Sequence, residues 1–484
     1  MTNRNFRVKE NNDIKILKSK EANYFFNKKT GYMASWGKTV EEDVKVFPAP
    51  TLLDIEVTTK CTGVNGKVCP FCFPEGTMVD MYDGTKKPIE EVKAGDEVRT
   101  YNTKSNNHFG RKGVVKETYV RDYDGELISI TLDNDRVIKC TPNHKFLTVG
   151  GWVEAQNLLE LDVIVNQINI REIKREQFKG KVYNFACDPF QNYLVENCVV
   201  HNCYKANTPN GENMSFETFK MILDKFPNVL TQIAFGADAT LESNPDLWEM
   251  MAYARGKGYV PNITCAQISE ATADNLAKYC GAVAISRYDD ADACYDSVYK
   301  LTSRGMKQVN IHLMISQETY DNAVQTLKDC KTDERLKNLN AVVFLSLKKK
   351  GRGTGHHVLT QEQFNSLVEL ALENNIRIGF DSCSSFKVFT AFSNKPEMKY
   401  IEQSIIPCES LLESCYCDVN GNFYPCSFLE GTEGWETGID VVNCNDFIND
   451  IWNNPRTEEF RNALLATTTS ETGCSCRVCP YYEV

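Results

Sequence analysis

One interruption in an otherwise regular pattern constrains the fold of this chain more than any other feature. Residues 51–60 and the stretch from 204 onward predict strands and amphipathic helices in steady alternation. Residues 72–202 instead hold short segments of alternating apolar and polar residues, separated by Gly, Asn and Asp turns, with no long helical period. When these residues are removed, the alternation of helix and strand is continuous. The sequence therefore predicts an all-β domain inserted into an α/β domain.

The α/β part predicts a parallel sheet. Repeated βα units form open or barrel-like parallel sheets, with functional loops at the carboxyl ends of the strands. After a first strand that runs straight into Cys61, the expected strands lie near residues 232–235, 259–264, 282–286, 308–314, 341–347 and 376–380. We therefore expect an α/β domain with an open or barrel-like parallel sheet, an inserted all-β domain and a small cysteine-rich C-terminal extension.

Composition and charge exclude several classes of protein. Apolar residues make up 42% and charged residues 25% of the chain, as is ordinary for soluble globular domains. The net charge of -11 argues against a general nucleic-acid surface. The N-terminal residues are too charged for a signal peptide, and no apolar run reaches membrane-spanning length, so we expect a cytoplasmic protein without membrane partners. In a reducing compartment, clusters among its 20 cysteines indicate metal ligands or catalysis.

The two ends of the inserted segment carry reactive residues. Cys72 opens it, and His201 and Asn202 close it immediately before Cys203. The Cys72 thiol can attack the carbonyl of Phe71 and convert that amide to a thioester, which Cys203 can then accept. The side-chain amide of Asn202 can cyclise and cleave its own peptide bond, with His201 protonating the leaving nitrogen. The final rearrangement to an amide would join Phe71 to Cys203.

These ends and two internal blocks resemble an intein over the whole of residues 72–202. The matching stretches are "CFPEGTMV", "GTKKPIEEVKAGDEV", "TPNHKF" and "VYNFACDPFQNYLVENCVVHNC". The resemblance implies a mini-intein with a horseshoe-like β-fold (Hint domain), in which Thr141 and His144 activate the upstream scissile amide. Asn184 stands where the family usually has Asp, and Gln191 where it usually has His. Both positions normally assist proton transfer, so the resemblance leaves the splicing rate open.

Removal of the insert brings three cysteines together on the loop after the first strand. The joined sequence is "EVTTKCTGVNGKVCPFCYKANTPNGENMS", with Cys61, Cys69 and Cys203. Three thiolates can hold three irons of a 4Fe-4S cluster and leave the fourth iron open for a ligand. This loop resembles the cluster motif of the radical S-adenosylmethionine superfamily, although seven residues rather than the usual three separate the first two cysteines. Phe71 matches the aromatic residue that packs near adenine.

The same resemblance implies contacts with S-adenosylmethionine at two further strand ends. Gly236, Ala237 and Asp238 stand where the family has Gly-Gly-Glu, beside the amino group of the cofactor. Ser286 and Arg287 match positions that contact its carboxylate or ribose; the alternative is an ordinary strand end with a solvated arginine. The implied reaction is one-electron reduction of S-adenosylmethionine, releasing methionine and a 5'-deoxyadenosyl radical. An electron donor such as flavodoxin or ferredoxin is the expected protein partner.

The C-terminal cysteines resemble the auxiliary-cluster extensions called SPASM or twitch domains. The stretches are "PCESLLESCYCDVNGNFYPCSF" and "GCSCRVCPYY". The resemblance implies a second 4Fe-4S cluster with four ligands: Cys408, Cys426, Cys476 and Cys479. Three other cysteines have spacings that also fit: Cys415, Cys417 and Cys474. A structural zinc site with four thiolates is the alternative that spacing alone leaves open.

The prediction is a precursor in four segments, residues 1–71, 72–202, 203–400 and 401–484. They form the N-terminal host segment, the intein, the remaining radical S-adenosylmethionine domain and the auxiliary-cluster extension. For the host, the resemblance implies a partial (β/α) barrel. Splicing would yield an enzyme that modifies a peptide or protein, with a small-molecule substrate left open. The alternative is a non-catalytic zinc- or iron-binding protein whose hedgehog-like insert cleaves the chain without ligating it.

Overall fold

Three β-sheets organise this protein. The computed structural model describes residues 6–19, 22–39, 42, 44–60, 72–102, 110–160, 162–188, 190, 192–201, 211–350, 356–468 and 477–482. Several residues singled out by the sequence lie outside these ranges: Cys61, Cys69, Phe71, Gln191, Asn202, Cys203, Cys474 and Cys476. No helix among the described residues has both the length and the apolar character needed to cross a membrane.

The first sheet is a four-stranded antiparallel meander in chain order. Its strands are β1 (Phe6–Glu10), β2 (Ile14–Ser19), β3 (Asn23–Asn27) and β4 (Met33–Trp36). Tyr24 and Phe26 are buried on one face together with Phe47, and they pack against Val229 and Val260 of the α/β part of the chain. The meander is therefore held to the following domain by a shared apolar cluster. The next strand, β5 (Leu52–Glu56), belongs to a different sheet.

The insert forms the second sheet, which has twelve strands and its own core. They are β6 (Phe73–Pro74), β7 (Met78–Asp80), β8 (Lys86–Pro88), β9 (Glu97–Thr100), β10 (Arg111–Leu132), β11 (Val137–Cys140), β12 (Lys145–Thr148), β13 (Gly151–Glu154), β14 (Val163–Ile164), β15 (Ile168–Asp188), β16 (Asn192–Val195) and β17 (Cys198–His201). The long strands β10 and β15 pair antiparallel along most of their length. The described part of residues 72–201 holds no α-helix, which confirms the predicted all-β insert.

The third sheet is the α/β part, and its parallel strands follow chain order from β5. The strands are β18 (Gln232–Gly236), β19 (Val260–Cys265), β20 (Ala282–Ser286), β21 (Val309–Ile315), β22 (Ala341–Ser346) and β23 (Ile378–Phe380). The helices are α1 (Phe216–Lys225), α2 (Leu247–Gly256), α3 (Glu270–Tyr279), α4 (Ala291–Thr302), α5 (Tyr320–Thr332), α6 (Gln361–Glu373), α7 (Ser385–Phe392) and α8 (Met398–Ile401). The parallel pairing confirms the predicted βα alternation. Among the described strands, β23 lies at one edge, so they form an open sheet.

Local sequence explains why the helices begin where they do and which face of the sheet they cover. The Ser215 hydroxyl accepts the Thr218 backbone N–H at 3.1 Å and caps α1, as its position predicts. Along β21, Val309 and Ile311 are buried among apolar residues, while the alternating His312 is only partly buried. The strands therefore direct apolar side chains to the helix layer and polar ones to the opposite face.

The C-terminal segment extends the third sheet on the far side of β5. Strand β24 (Ser414–Cys417) pairs parallel with β5, and β25 (Asn422–Tyr424) and β26 (Ile439–Asp440) follow antiparallel. A π-helical turn at Phe447–Trp452 and α9 (Pro455–Ala466) complete this segment. As a result β5 lies between β18 and β24, with Leu53 and Ile55 at most 1% exposed. Sequence patterns did not predict this neighbour for the first strand.

Candidate splice site and the carboxyl edge of the host sheet

The insert leaves and re-enters the α/β domain at one point, beyond the carboxyl end of β5. The Thr59 N–H donates to Glu212 O at 2.9 Å, and the Thr58 hydroxyl donates to Asn213 Oδ1 at 2.6 Å. The backbone approach is so close that a Cβ at Gly211 would lie 2.4 Å from the Thr59 carbonyl oxygen. The residues on either side of the insert are therefore paired with each other although the insert separates them in sequence.

Two hydrogen bonds from Thr141, one through its side chain and one through its backbone, hold the backbone of Cys72. The Cys72 N–H donates to Thr141 Oγ1 at 2.9 Å, and the Thr141 N–H donates to the Cys72 carbonyl at 3.0 Å. Thr141 directly follows β11, and Cys72 directly precedes β6, so strand ends set this geometry. Cys72 is 1% exposed. The predicted nucleophile and the predicted activating threonine are thus in direct contact.

His144 and His201 lie in the same buried region. A turn places His144, because its N–H donates to Thr141 O at 3.0 Å. Its ring centroid is 4.1 Å from that of Phe73, the residue after the nucleophile. Burial, with a smaller contribution from the charge of His201, lowers the pKa of His144 to about 3. His144 is therefore neutral at physiological pH, so one of its ring nitrogens can donate a hydrogen bond and the other can accept one.

Arg121 is a further residue of this site, which the sequence analysis did not find. Its guanidinium lies close enough to the Cys72 thiol for its positive charge to act on that thiol. Burial raises the pKa of Cys72, and Arg121 opposes that increase. Arg121 lies on β10 opposite Val182 of β15, and Val182 pairs in turn with Pro74 of β6. No local motif marks Arg121, because only strand pairing brings it to the nucleophile.

Asn184 lies on β15 and is buried beside the residues that surround Cys72. Its side-chain oxygen accepts the Tyr193 hydroxyl at 2.7 Å and the Phe185 N–H at 2.8 Å. The side chain therefore holds a fixed position while contributing no negative charge.

At the carboxyl edge of the host sheet, Asp238 is engaged by its own loop. Its carboxylate accepts the Thr240 hydroxyl at 2.8 Å, and the N–H groups of Thr240 and Ser243 each at 3.2 Å. Gly236 ends β18, and its carbonyl accepts the Val57 N–H at 2.9 Å, close to where the first strand ends. Ala237 packs against the main apolar core. This loop is fixed beside the strand that precedes Cys61.

Arg287 presents buried donors at the same edge of the sheet. Within the described residues, its Nε and Nη1 atoms are buried and have no hydrogen-bond partner. Its backbone N–H donates to His312 O at 2.8 Å, one residue beyond the register pair of Ser286 with His312. Burial lowers the pKa of His312 to about 4. Arg287 as a whole is only partly buried, but these two donors are buried, and donors of this kind suit an anionic ligand.

Five of the described C-terminal cysteines fall into two groups. Cys408, Cys426 and Cys479 are close enough for their charges to affect one another. Cys415 and Cys417 lie on β24 inside the apolar core, and burial raises the pKa of each thiol well above its usual value. In the described ranges no three His, Cys, Asp or Glu side chains are arranged to bind a metal ion.

A family model matches most of the insert. Residues 78–203 match the family model "Pretoxin HINT domain". The inserted segment is a Hint/intein domain. A DnaB intein from Synechocystis sp. PCC 6803 is 18% identical and covers 27% of this chain and 98% of its own, with a TM-score of 0.25. The gp41-1 intein is also 18% identical and covers 28% of this chain and 100% of its own, with a TM-score of 0.24.

Two curated proteins share a similar stretch of sequence with this chain. DNA-directed RNA polymerase III subunit rpc2 of Dictyostelium discoideum is 32% identical over 110 residues, which are 19% of this chain and 6% of that protein. A DNA gyrase subunit of Synechocystis is 29% identical over 103 residues, which are 20% of this chain and 10% of that protein. The chain therefore spans at most a tenth of the length of these relatives.

Proposed function

We propose that this chain is a precursor in which the Hint/intein domain excises itself and joins Phe71 to Cys203. The observation that carries the proposal is the pairing of Cys72 with Thr141 at both backbone groups, with His144 buried beside them. A buried cysteine at the first position of such a domain, next to a neutral histidine, has the components of nucleophilic catalysis at a peptide bond.

The first step is an acyl shift from nitrogen to sulfur. The Cys72 thiolate attacks the Phe71 carbonyl carbon; the carbon–nitrogen bond breaks, and the Cys72 nitrogen takes up a proton to become an amine. Thr141 fixes the orientation of this nitrogen, and neutral His144 can take up the proton that the Cys72 thiol loses and pass it to the leaving nitrogen. Arg121 stabilises the thiolate before attack. The product is a thioester between Phe71 and Cys72.

The later steps use the other end of the insert. The Cys203 thiolate displaces Cys72 from the thioester, and the Asn202 amide nitrogen attacks its own carbonyl to form an imide, releasing the amine of Cys203. That amine then takes the acyl group from sulfur and leaves an amide bond. His201, the last residue of β17, is positioned one residue before the cyclising asparagine and can protonate the leaving nitrogen.

For the host we propose a radical S-adenosylmethionine enzyme acting on a peptide or protein. The parallel sheet with its loops at one edge supports this, as do the buried donors of Arg287, which suit a carboxylate. Cys61, Cys69 and Cys203 would hold the cluster, which supplies the electron that cleaves the cofactor when both are bound. Ser286 precedes Arg287 at the same edge of the sheet and would contact the cofactor beside it. A flavodoxin- or ferredoxin-like donor would supply the electron.

A metal-binding host with a cleavage-only insert is the second candidate. Asp238 favours it, because its carboxylate is already occupied by Thr240 and Ser243 and is less available to a cofactor amine. Cys408, Cys426 and Cys479 lie near one another but are not arranged as a metal site, so in this candidate they would have to move together to bind zinc or iron. Cys476 is the fourth thiol that either a zinc site or an auxiliary 4Fe-4S cluster would need.

Intact mass spectrometry of the expressed chain tests the splicing proposal. Splicing yields a ligated host and a separate insert, whereas cleavage alone yields two host pieces that are not joined. The host proposal is tested by anaerobic reconstitution of the ligated product with iron and sulfide. Formation of 5'-deoxyadenosine from S-adenosylmethionine under reduction supports the enzyme, and binding of zinc without this product supports the second candidate.

A further inference from the structure

The strand that precedes the insert is enclosed by strands that follow it. Along one side of β5, Leu53 pairs with Ile233 and Ile55 with Phe235. Along the other side, Leu53 pairs with Cys415. A strand with neighbours on both sides has no free edge. Backbone hydrogen bonds join it to both neighbours, and these bonds are buried in the core. The N-terminal host segment therefore fills an internal position in the sheet of the C-terminal host segment.

Further contacts outside the sheet join the same two segments. The ammonium group of Lys15, which is fully buried, donates to Leu230 O at 2.7 Å and to Asn228 Oδ1 at 2.8 Å. The Phe47 carbonyl accepts the indole N–H of Trp452 at 3.0 Å, and that side chain is 1% exposed. Buried polar pairs of this kind are costly to break, because each lost partner leaves a desolvated donor or acceptor.

Hydrogen bonds also join the two host segments at the point where the insert meets the host. Besides the Thr58 and Thr59 contacts with Asn213 and Glu212, the Met214 N–H donates to Val57 O at 2.9 Å. These bonds join the ends of the two host segments across the insertion point. The insert can thus change its covalent state without opening the sheet below it.

We infer that the two host segments form a stable complex that does not depend on the peptide chain through the insert. Residues 1–71 would then remain bound to residues 203–484 when both ends of the insert are cut. The bound state keeps the two chain ends that are to be ligated at a high effective concentration. An abortive cleavage would therefore leave an assembled host, lacking only the bond between Phe71 and Cys203. This inference rests on the proposed splicing chemistry only for its first test.

That test uses the full precursor carrying Cys203→Ala. Without Cys203 the thioester at Cys72 has no internal acceptor. Added dithiothreitol attacks the Phe71 carbonyl, displaces the Cys72 thiol and releases residues 1–71 as a dithiothreitol thioester that water then hydrolyses. Cyclisation of Asn202 separately releases residues 203–484. We expect size-exclusion chromatography under native conditions to show 1–71 eluting with 203–484 and the insert eluting apart. Elution of 1–71 as a free peptide would overturn the inference.

A matched pair of variants shows whether the observed contacts hold the complex. Lys15→Met removes a buried donor from Leu230 and Asn228, whereas Lys18→Met changes an exposed side chain on the same strand. In the Cys203→Ala precursor, we expect Lys15→Met to raise the dissociation constant of the fragment about tenfold or more, and Lys18→Met to leave it unchanged. Equal dissociation constants for both variants would contradict the inferred interface.

A precursor that never cleaves itself would count against the splicing proposal. The interface between the two host segments is then tested by a second measurement. Residues 1–71, carrying an affinity tag, are co-expressed with residues 203–484. Recovery of 203–484 with the tagged segment supports the interface even if the insert is inactive. If both segments are soluble and do not co-purify, the interface is wrong, whatever the insert does.

Discussion

The hydroxyl of Thr141 accepts the backbone N–H of Cys72 at 2.9 Å, while the Thr141 N–H donates to the Cys72 carbonyl at 3.0 Å. Thr141 thus fixes the orientation of the nitrogen that must leave Phe71 and of the carbonyl that follows it. The same hydroxyl lies 3.3 Å from that carbonyl oxygen. These contacts make Thr141 a positioning residue for cleavage of the Phe71–Cys72 peptide bond, the first bond that breaks.

Replacing this hydroxyl should slow the first step while leaving the fold intact. We expect Thr141→Ala to lower the rate of thiol-induced cleavage after Phe71 about tenfold to a hundredfold, because a buried N–H loses its acceptor. Thr141→Ser keeps the oxygen and should restore most of the rate. Both variants are made in a precursor that also carries Asn202→Ala, so that only the junction between Phe71 and Cys72 reacts. Equal rates for Thr141→Ala and the parent chain would contradict this role.

The buried histidine predicts how the stability of the insert depends on pH. The folded-state pKa of His144 is about 3, below its ordinary value of 6.5, so the unfolded chain takes up a proton that the folded chain excludes. The resulting stabilisation of the neutral form is present above pH 6.5 and is lost as the pH falls toward 3. We expect His144→Gln to flatten the fall in unfolding free energy on acidification.

Pulse proteolysis in urea, read on fragments of the insert, measures this pH dependence. The chain carries Cys72→Ala and Asn202→Ala so that it stays intact. His357→Gln is the control, because that histidine is 72% exposed and lies in the host. The same pH slope in parent and His144→Gln chains would show that His144 is not held neutral by the fold.

Arg121 predicts a shift in the pH profile of the first step. Burial raises the pKa of the Cys72 thiol and Arg121 opposes that increase, so Arg121→Met should raise the thiol pKa further. The rate near neutral pH should then fall and recover as the pH rises. Arg121→Lys keeps a positive charge, so its cleavage rate near neutral pH should lie between those of the parent chain and Arg121→Met. Cleavage rates from about pH 6 to 9 in the Asn202→Ala precursor test this; a uniform loss at every pH would indicate a structural role instead.

For the host, Arg287 should contribute to binding of S-adenosylmethionine. Loss of a buried charge-assisted contact with the carboxylate should weaken binding by the ligated product about tenfold to a hundredfold in Arg287→Gln. Arg304→Gln is the matched control, since Arg304 pairs with Asp274 and Glu270 on the helix side. Isothermal titration of S-adenosylmethionine measures both. Unchanged affinity in Arg287→Gln would favour the metal-binding alternative for the host.

The sequence around the first junction also predicts that metal can delay splicing. In the precursor, Cys61, Cys69 and Cys72 have the spacing that Cys61, Cys69 and Cys203 have in the product. A Cys72 thiol held by zinc or by a disulfide with Cys69 cannot attack the Phe71 carbonyl. We expect zinc or an oxidant to slow splicing and a chelator or reductant to restore it. The same splicing rate under all four conditions would rule this out.

How much the sequence predicts depends on whether a feature is local or long-range. The period-two pattern predicts the all-β insert, and the capping of α1 by Ser215 follows from adjacent residues. Arg121 could not be foreseen, because its contact with Cys72 depends on pairing between β10, β15 and β6. The position of β24 beside β5 depends on a contact across most of the chain and has no local signature. The hydrogen bonds that Asp238 accepts from Thr240 and Ser243 of its own loop are likewise visible only in the structure.

Ligation is the central claim, and tandem mass spectrometry of the junction tests it most directly. The purified host is digested with a protease that leaves the junction within a single peptide. The account predicts a fragment series that reads Pro70, Phe71, Cys203 and Tyr204 through continuous amide bonds. A peptide that ends at Phe71 with a free carboxylate, together with a separate one that begins at Cys203, would contradict it.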